Sequence, residues 1–397
     1  MEEKEQNRLL RCVLFAFFVS GAASQPLGSF IPFLRSAYGF SYDLSGVLLS
    51  CQSVGNLVSV LIAGLLPTLL GRRRSILLLA VWMAAAYLIF VSGLGSPLFM
   101  VAAFAMTGIS RGGNSNVSNT MVSTLPGDKA TRGYNLLHGC FAMGALLSPL
   151  LLVAFTRRWP EGGWRAMAGL LTALCLVQLA VYWKMPLPRE PEKSARTVDR
   201  GFFKVRQFWL GSAMLFFYIS TEYAIVGWLV TYFQDAGLLS ADLAQVMNSL
   251  LWLVIFAGRM IGAATTGRLS RNALLLADGV GLFAFFTVLF FSRSTGMIVA
   301  GLIGTGLFMA TIYPSAFAFG SDCVRGNDFG CSVLILTGSA GGVITPALVG
   351  FAAERAGIRA GMGLVVVFAG LLLASILLSV FSAKHDTKRS ASIQWKS

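Results

Sequence analysis

Charged residues are scarce in this sequence. Of its 397 residues only 12% are charged and 56% are hydrophobic, and the mean hydropathy is +0.72, whereas soluble globular proteins carry about 25% charged residues. Because a membrane-spanning helix needs about 20 mainly apolar residues, twelve such helices would take up nearly the whole chain. The composition argues against a water-soluble protein and leaves no room for a soluble catalytic domain.

Motifs for nucleotides, metals and covalent chemistry are also missing. The sequence contains no GxxxxGK[ST] loop, no GxSxG elbow and no HExxH pair, so ATP-driven transport and these hydrolase chemistries are not expected. The six cysteines form no CxxC pair and have no ligand-like spacing with the two histidines. We therefore expect no metal and no bound cofactor, and the polar residues offer no nucleophile, base and orienting group for an enzyme.

Positive charge is present but sits at the ends of apolar runs. A net charge of +14 can indicate nucleic-acid binding, but here the Lys and Arg residues line no amphipathic or aromatic surface. We expect a lipid bilayer around the chain, no nucleic-acid partner and a monomer. Only seven basic residues fall on the side away from the termini, which predicts both termini in the cytoplasm of a cell-membrane protein: Arg35, Arg157, Arg158, Arg165, Arg293, Arg355 and Arg359.

Apolar runs between polar punctuation predict an all-α membrane protein with twelve transmembrane helices. The predicted spans lie near 9–34, 42–66, 75–94, 97–124, 134–156, 164–184, 206–233, 240–265, 273–292, 296–320, 330–353 and 360–382.

A polar linker and an internal repeat divide these spans into two six-helix bundles. The predicted domains are 1–184 and 206–397, with a cytoplasmic linker at 185–205 that is rich in proline and charge. The segment ILLLA at 76–80 returns as ALLLA at 273–277, and at the same offset Gly133, Gly144 and Pro149 return as Gly330, Gly341 and Pro346. Two such repeats are typical of transporters whose solute site lies near the bilayer midplane.

The loop after the second span, GLLPTLLGRRR at 64–74, resembles the loop signature of the major facilitator superfamily. Gly64, Gly71, Arg72 and Arg73 match this signature, and Thr68 stands where it has an aspartate. The resemblance implies a gating contact for Arg72 and Arg73; anchoring at the cytoplasmic surface is the alternative.

Longer stretches resemble the fucose, galactose and gluconate symporters of that superfamily, including sodium-dependent glucose transporter-like members. They include FFVSGAASQPLGSFIP at 17–32, RGYNLLHGCFAMGALLSPLL at 132–151 and FYISTEYAIVGWLVTYF at 217–233. The resemblance implies sugar uptake by alternating access, coupled to sodium or a proton. At the two positions matched to the carboxylates of proton-coupled members, this chain has Gly28 and Ser115.

Ionisable residues within the spans are the first candidates for coupling, because a buried charge in a membrane is costly and usually functional. Glu222, near the middle of the seventh span with Tyr218 and Trp228 nearby, is predicted to bind the coupling cation or a sugar hydroxyl. Arg111 lies on the polar stripe of the fourth span that continues to Asn119. It is predicted to bind substrate, to pair with Glu222, or both.

The remaining candidates are polar or aromatic residues within spans and basic residues near their cytoplasmic ends. Gln25 precedes Pro26, where an irregular helix would free backbone groups toward a cavity. The other predicted substrate contacts are His138, Asn248, Trp252 and Tyr313, with packing as the alternative role, and the other predicted gating residues are Arg259 and Arg268.

Two other functions remain open at this stage. An exporter of amphipathic compounds or of another metabolite by proton exchange would have a broader, more apolar cavity, and fold alone does not fix function. A solute sensor that does not transport would bind its ligand without exchange. The many amide, hydroxyl and aromatic residues of the central spans favour a transported small polar solute, with a sugar as the leading candidate.

Overall fold

The computed structural model describes residues 3–62, 66–126, 128–187, 201–265, 270–324 and 328–394. Within these ranges all regular structure is helical, with two short 3₁₀ turns and fifteen α-helices. The helices are α1 Glu3–Ser24, α2 Leu27–Tyr38, α3 Tyr42–Ile62, α4 Leu66–Leu70, α5 Arg72–Ser92, α6 Pro97–Ser123, α7 Asp128–Arg158, α8 Gly163–Trp183, α9 Arg206–Asp235, α10 Ala241–Thr265, α11 Arg271–Phe291, α12 Thr295–Met309, α13 Ile312–Ser321, α14 Asp328–Ala356 and α15 Ile358–Gln394.

The twelve predicted spans are confirmed as helices. Ten of the predicted spans each correspond to one long helix. The first span corresponds to α1 with α2, and the tenth to α12 with α13. In the described part of the chain, ten helical stretches are long and apolar enough to cross a membrane. The other two spans, α3 and α6, are rich in Ser, Asn and Gly, and they pack closely on each other.

Proline explains both broken spans. A proline lacks the N–H that would bond the carbonyl four residues earlier, and its ring collides with that carbonyl. Pro26 follows Ala22 by four residues, and α1 ends at Ser24. Pro314 follows Ala310 by four residues, and α12 ends at Met309. The irregular helix predicted around Gln25 is therefore confirmed.

The carbonyl oxygens released at the end of α1 all find side-chain donors from other helices. Ser148 of α7 donates to the Ala22 carbonyl at 2.7 Å, and Gln52 of α3 donates to the Ser24 carbonyl at 2.7 Å. The hydroxyl of Tyr87, on α5, donates to the carbonyl between them, that of Ala23. The break in the first span is thus fixed by three neighbouring helices.

Contacts group the chain into two compact units. The first contains Met1–Lys193, Val226–Leu253 and Pro346–Gly361, and the second contains Ser194–Ile225, Val254–Thr345 and Met362–Ser397. The first unit therefore combines α1–α8 with parts of α9, α10, α14 and α15. The predicted domains 1–184 and 206–397 rest on the internal repeat rather than on contacts, and they stay a prediction.

The repeat has a local structural counterpart inside each unit. A Cβ added at Gly144 would overlap the backbone carbonyl of Phe18, and a Cβ added at Gly341 would overlap that of Phe216. In both places a glycine lets two helices touch backbone to backbone, as small residues do in membrane proteins. The matched glycines thus perform the same packing role.

Candidate functional site

A stripe of buried polar side chains on α10 is a candidate site in the first unit. Gln245, Asn248, Ser249 and Trp252 lie at positions i, i+3, i+4 and i+7, on one face of the helix. All four side chains are at most 5% exposed. Each also has a polar atom that has no hydrogen-bond partner within the described part of the chain: Gln245 Oε1, Asn248 Oδ1, Ser249 Oγ and Trp252 Nε1.

Such atoms are rare in folded proteins. More than about 90% of buried polar groups have a partner, and an unpartnered one destabilises the fold by about 1–3 kcal/mol. Four of them on one helical face therefore indicate a place where a polar ligand or water completes the hydrogen bonding. We call these four residues the α10 polar face.

The broken first span lies directly against this face. Gln245 Nε2 donates to the backbone carbonyl of Ser29 at 3.1 Å, and Asn248 Nδ2 donates to the Ser29 hydroxyl at 3.1 Å. Gln25, in the break itself, is 5% exposed. The predicted residues Asn248 and Trp252 thus lie on one face of α10. Gln25 lies just before α2, and Ser29 of α2 contacts Asn248.

Aromatic contacts connect the α10 polar face to two predicted site residues of the first unit, Arg111 and His138. The Phe141 ring of α7 lies 6.4 Å from the Trp252 ring, edge to face, and 5.9 Å from the Arg111 guanidinium carbon. Phe141 also packs on Phe17 at 5.5 Å, and Phe17 meets the His138 ring at 5.8 Å. Arg111 and His138 therefore both lie near this end of the site, linked to it through Phe141.

Glu222 belongs to a separate cluster, in the second unit. Electrostatic interactions connect Tyr218 with the Glu222 carboxylate, four residues further along α9, and with the Arg259 guanidinium. The Tyr313 ring lies 6.1 Å from the Tyr218 ring, so four predicted residues meet here. Because Glu222 and Arg111 lie in different units, their pairing stays a prediction.

Two predicted site residues use their polar groups elsewhere within the first unit. Trp228 is fully buried, and its indole N–H donates to the Pro346 carbonyl at 3.1 Å. Asn119 turns back on its own helix and donates to the Ser115 carbonyl at 2.9 Å. These contacts fit packing more closely than ligand binding, although they do not test a role in transport.

The structure describes the positions of the predicted gating residues Arg72 and Arg73. Arg73 donates to the carbonyls of Tyr182, Trp183 and Met185, at the C-terminal end of α8. A cation there satisfies orphan carbonyls and complements the helix dipole. Arg72 begins α5, and Arg268 and the side chain of Thr68 lie outside the described residues.

Sequence reasoning missed Gln245, Ser249, Ser29 and Phe141. The helical spacing that singled out Asn248 and Trp252 also includes Gln245 and Ser249, so that signal was available. The contact of Ser29 with Asn248 joins residues 219 positions apart, and no local pattern indicates it.

A second polar cluster joins helix ends within the first unit, and we call it the charged latch. Arg35 of α2 forms an ion pair with Asp235 of α9, and its guanidinium carbon lies 3.6 Å from the centre of the Tyr42 ring. Tyr42 donates its hydroxyl to Asp235 at 2.8 Å and its backbone N–H to Glu354 at 2.7 Å. These residues lie at the C-terminal ends of α2, α9 and α14 and at the N-terminal end of α3.

We expect Asp235→Ala to open the charged latch, since it removes the shared acceptor of Arg35 and Tyr42. Losing hydrogen bonds to a charged group costs about 1–2 kcal/mol here, a factor of about 5 to 30 in local opening. Hydrogen–deuterium exchange of the peptide covering 38–46 in nanodiscs measures this. The control is Asp242→Ala, which breaks the Arg157–Asp242 pair, whose arginine is 69% exposed; equal exchange in the two variants would contradict the latch.

These features define a class of protein: a helical membrane protein with a first span broken at a proline and a face of buried polar side chains beside it. The sequence profile of the Major Facilitator Superfamily matches residues 13–327. The chain therefore belongs to this superfamily, whose members are transporters rather than enzymes, and it is a secondary transporter of a small molecule and an integral membrane protein.

Distant relatives agree with the resemblance to sugar symporters. The chain is 22% identical to "Membrane protein MosC" of Rhizobium meliloti over 378 residues, covering 95% of this chain and 90% of that one. It is 23% identical over 382 residues to "Glucose/galactose transporter" of Brucella abortus biovar 1 (strain 9-941), covering 90% of each. Among solved structures, a bacterial homolog of the human lysosomal transporter Spinster, inward-facing and occupied, superposes with a TM-score of 0.77 at 14% identity, covering 96% of this chain and 98% of that one.

Proposed function

We propose that this protein is a sugar transporter that works by cation symport, with sodium or a proton as the coupling ion. The observation that carries the proposal is the α10 polar face, where four buried polar atoms have no hydrogen-bond partner among the described residues. A sugar presents hydroxyl donors and acceptors on every side, together with an apolar ring face. It can satisfy these atoms while the ring packs on an aromatic side chain such as Trp252.

The named glucose/galactose transporter among the relatives supports the same substrate class. In the proposal Gln25, Asn248 and Trp252 bind the sugar, together with Gln245 and Ser249. Arg111 and His138 border the site beyond Phe141. Both termini face the cytoplasm, and residues 1–184 and 206–397 act as the two bundles that rock about the site.

Coupling is assigned to Glu222 in the second unit. A carboxylate at membrane depth is costly unless it is paired or binds a cation. Glu222 shares Tyr218 with Arg259, so uptake of a cation by the carboxylate would change the charge balance of this cluster. That change is a physical means by which ion occupancy can bias the conformations of the transporter.

Counterflow of radiolabelled hexoses in proteoliposomes tests the proposal, because exchange needs no driving force and reports alternating access. We expect preloaded D-glucose or D-galactose to accelerate entry of the labelled sugar at least about 10-fold over empty vesicles, and sodium to change the rate if it is the coupling ion.

A binding-site variant for this experiment is Trp252→Ala, which should reduce exchange about 10- to 100-fold because it removes the ring and the indole donor. No exchange across a hexose panel would contradict sugar transport and would favour export of another metabolite. Binding without exchange would indicate a sensor.

A further inference from the structure

The two amide side chains of the α10 polar face are both held by one residue of the broken first span. Gln245 Nε2 donates to the Ser29 backbone carbonyl, and Asn248 Nδ2 donates to the Ser29 hydroxyl, each at 3.1 Å. Ser29 and Asn248 are fully buried, and Gln245 is 2% exposed. One serine therefore anchors the donor ends of two amides.

This anchoring decides which atoms of the amides remain for a ligand. An amide carries two N–H donors on nitrogen and an acceptor oxygen. With both nitrogens turned to Ser29, the oxygens Gln245 Oε1 and Asn248 Oδ1 have no partner in the ranges that the structure describes. The pair therefore presents acceptors, which a ligand can satisfy only with hydroxyl or N–H donors.

The orientation of Gln245 follows from elementary chemistry. A backbone carbonyl can only accept, so only the NH₂ end of Gln245 can bond to the Ser29 carbonyl. For Asn248 the anchor is the Ser29 hydroxyl, which can either donate or accept. Asn248 is thus the amide whose orientation depends on the Ser29 side chain.

The backbone around Ser29 is held by close packing. A Cβ added at Gly28 would lie 2.5 Å from the carbonyl oxygen of Val226 on α9, so α2 and α9 meet backbone to backbone at this level. Pro32, inside α2, removes the N–H that would bond the Gly28 carbonyl. These features fix where Ser29 stands relative to α10, since all these residues belong to the first unit.

We propose that Ser29 is a positioning residue that sets the donor selectivity of the site: its backbone carbonyl fixes the orientation of the Gln245 amide, and its hydroxyl, by accepting from Asn248 Nδ2, leaves the Asn248 oxygen to the ligand. The site then selects neutral, polyhydroxylated ligands through hydroxyl groups that donate, and it discriminates against keto or carboxylate groups at the same positions. This inference rests on the proposed function, because it assumes that the ligand of the α10 polar face is a sugar.

The test compares binding of D-glucose and its 2-, 3-, 4- and 6-deoxyfluoro analogues to the purified full chain in nanodiscs by scintillation proximity. Fluorine approximates a hydroxyl in size but cannot donate a hydrogen bond. We expect at least one analogue to bind the unaltered protein about 10- to 100-fold more weakly than D-glucose, because a buried acceptor loses its donor.

In Ser29→Ala the Asn248 amide can rotate and offer its NH₂ group to the ligand. We expect this variant to bind D-glucose more weakly and the penalty for that fluoro analogue to fall below about 3-fold. Ser29→Thr keeps the hydroxyl and should restore the penalty. Ser24→Ala is the matched control, since Ser24 is also buried in the first span but its hydroxyl donates to the Ser20 carbonyl of its own helix.

The outcomes separate this inference from the function on which it rests. If D-glucose binds and Ser29→Ala keeps the full fluoro penalty, the positioning role is wrong while sugar binding stands. If Ser24→Ala loses the penalty as well, the effect is general and the role of Ser29 is again wrong. If no hexose binds the unaltered protein, the proposed function fails, and the inference fails with it.

Discussion

Glu222→Gln is expected to abolish concentrative uptake while leaving exchange intact. The amide has nearly the shape of the carboxylate and can still bond to Tyr218, but it carries no charge that can take up a cation. We expect accumulation against the gradient to fall about 100-fold and hexose counterflow to stay within about 3-fold of the unaltered protein. The measurement is the ratio of internal to external labelled hexose in proteoliposomes under an imposed sodium gradient, and separately under a proton gradient.

The control for this prediction is Glu161→Gln, which alters an exposed acid in the loop between α7 and α8 and should leave both measurements unchanged. Arg259→Gln should also weaken coupling, as Glu222→Gln does, because both charges act on Tyr218. A Glu222→Gln protein that still accumulates hexose to the full ratio would exclude Glu222 as the coupling residue.

Gly28→Asp is expected to inactivate the transporter rather than supply the missing first-span carboxylate. The added Cβ would lie 2.5 Å from the Val226 carbonyl oxygen and 2.8 Å from that of Gly227. Overpacking of this kind costs about 1–3 kcal/mol even before the charge is buried, and an unpaired carboxylate adds several kcal/mol more. We therefore expect hexose counterflow to drop at least about 100-fold.

Gly28→Ala separates the steric effect from the charge and should already reduce counterflow about 10-fold. Gly162→Ala is the matched control, because a Cβ at Gly162 meets open space. Proton-coupled uptake gained in Gly28→Asp would show that this position can accept a carboxylate and would contradict the packing argument. The glycine at this position thus does more than omit a titrating group, since α9 occupies the space.

The sequence predicts the helices well, but apart from Pro26 it does not show which prolines interrupt them. Hydrophobic length and polar punctuation locate all twelve spans, because the bilayer imposes both. Pro26 and Pro314 break their spans, whereas Pro32, Pro149 and Pro346 lie inside continuous helices. At Pro26 the freed Ala22 carbonyl accepts from Ser148, 126 positions away, and this contact is not local in sequence.

The sequence predicts only part of the candidate site, because many of its contacts join residues that are far apart in the sequence. The spacing of Asn248 and Trp252 indicates a common helical face, which the structure has. The partners that orient this face come from distant segments: Ser29 lies more than 200 residues before its contacts on α10. The charged latch is similar, because Arg35 and Asp235 are 200 positions apart. A tryptophan such as Trp228 looks identical in sequence whether its N–H meets a ligand or, as here, the Pro346 carbonyl.

The broken end of α1 also constrains how the protein is made. The carbonyls of Ala22, Ala23 and Ser24 accept hydrogen bonds from α7, α5 and α3 respectively, all of which are synthesised after α1. During synthesis at about 5–20 residues per second, the ribosome needs about 6–25 s to pass from the break to Ser148. For that interval the Ala22 carbonyl lacks its donor on α7, so we expect this segment to stay in contact with water or the insertion machinery until the fifth span arrives.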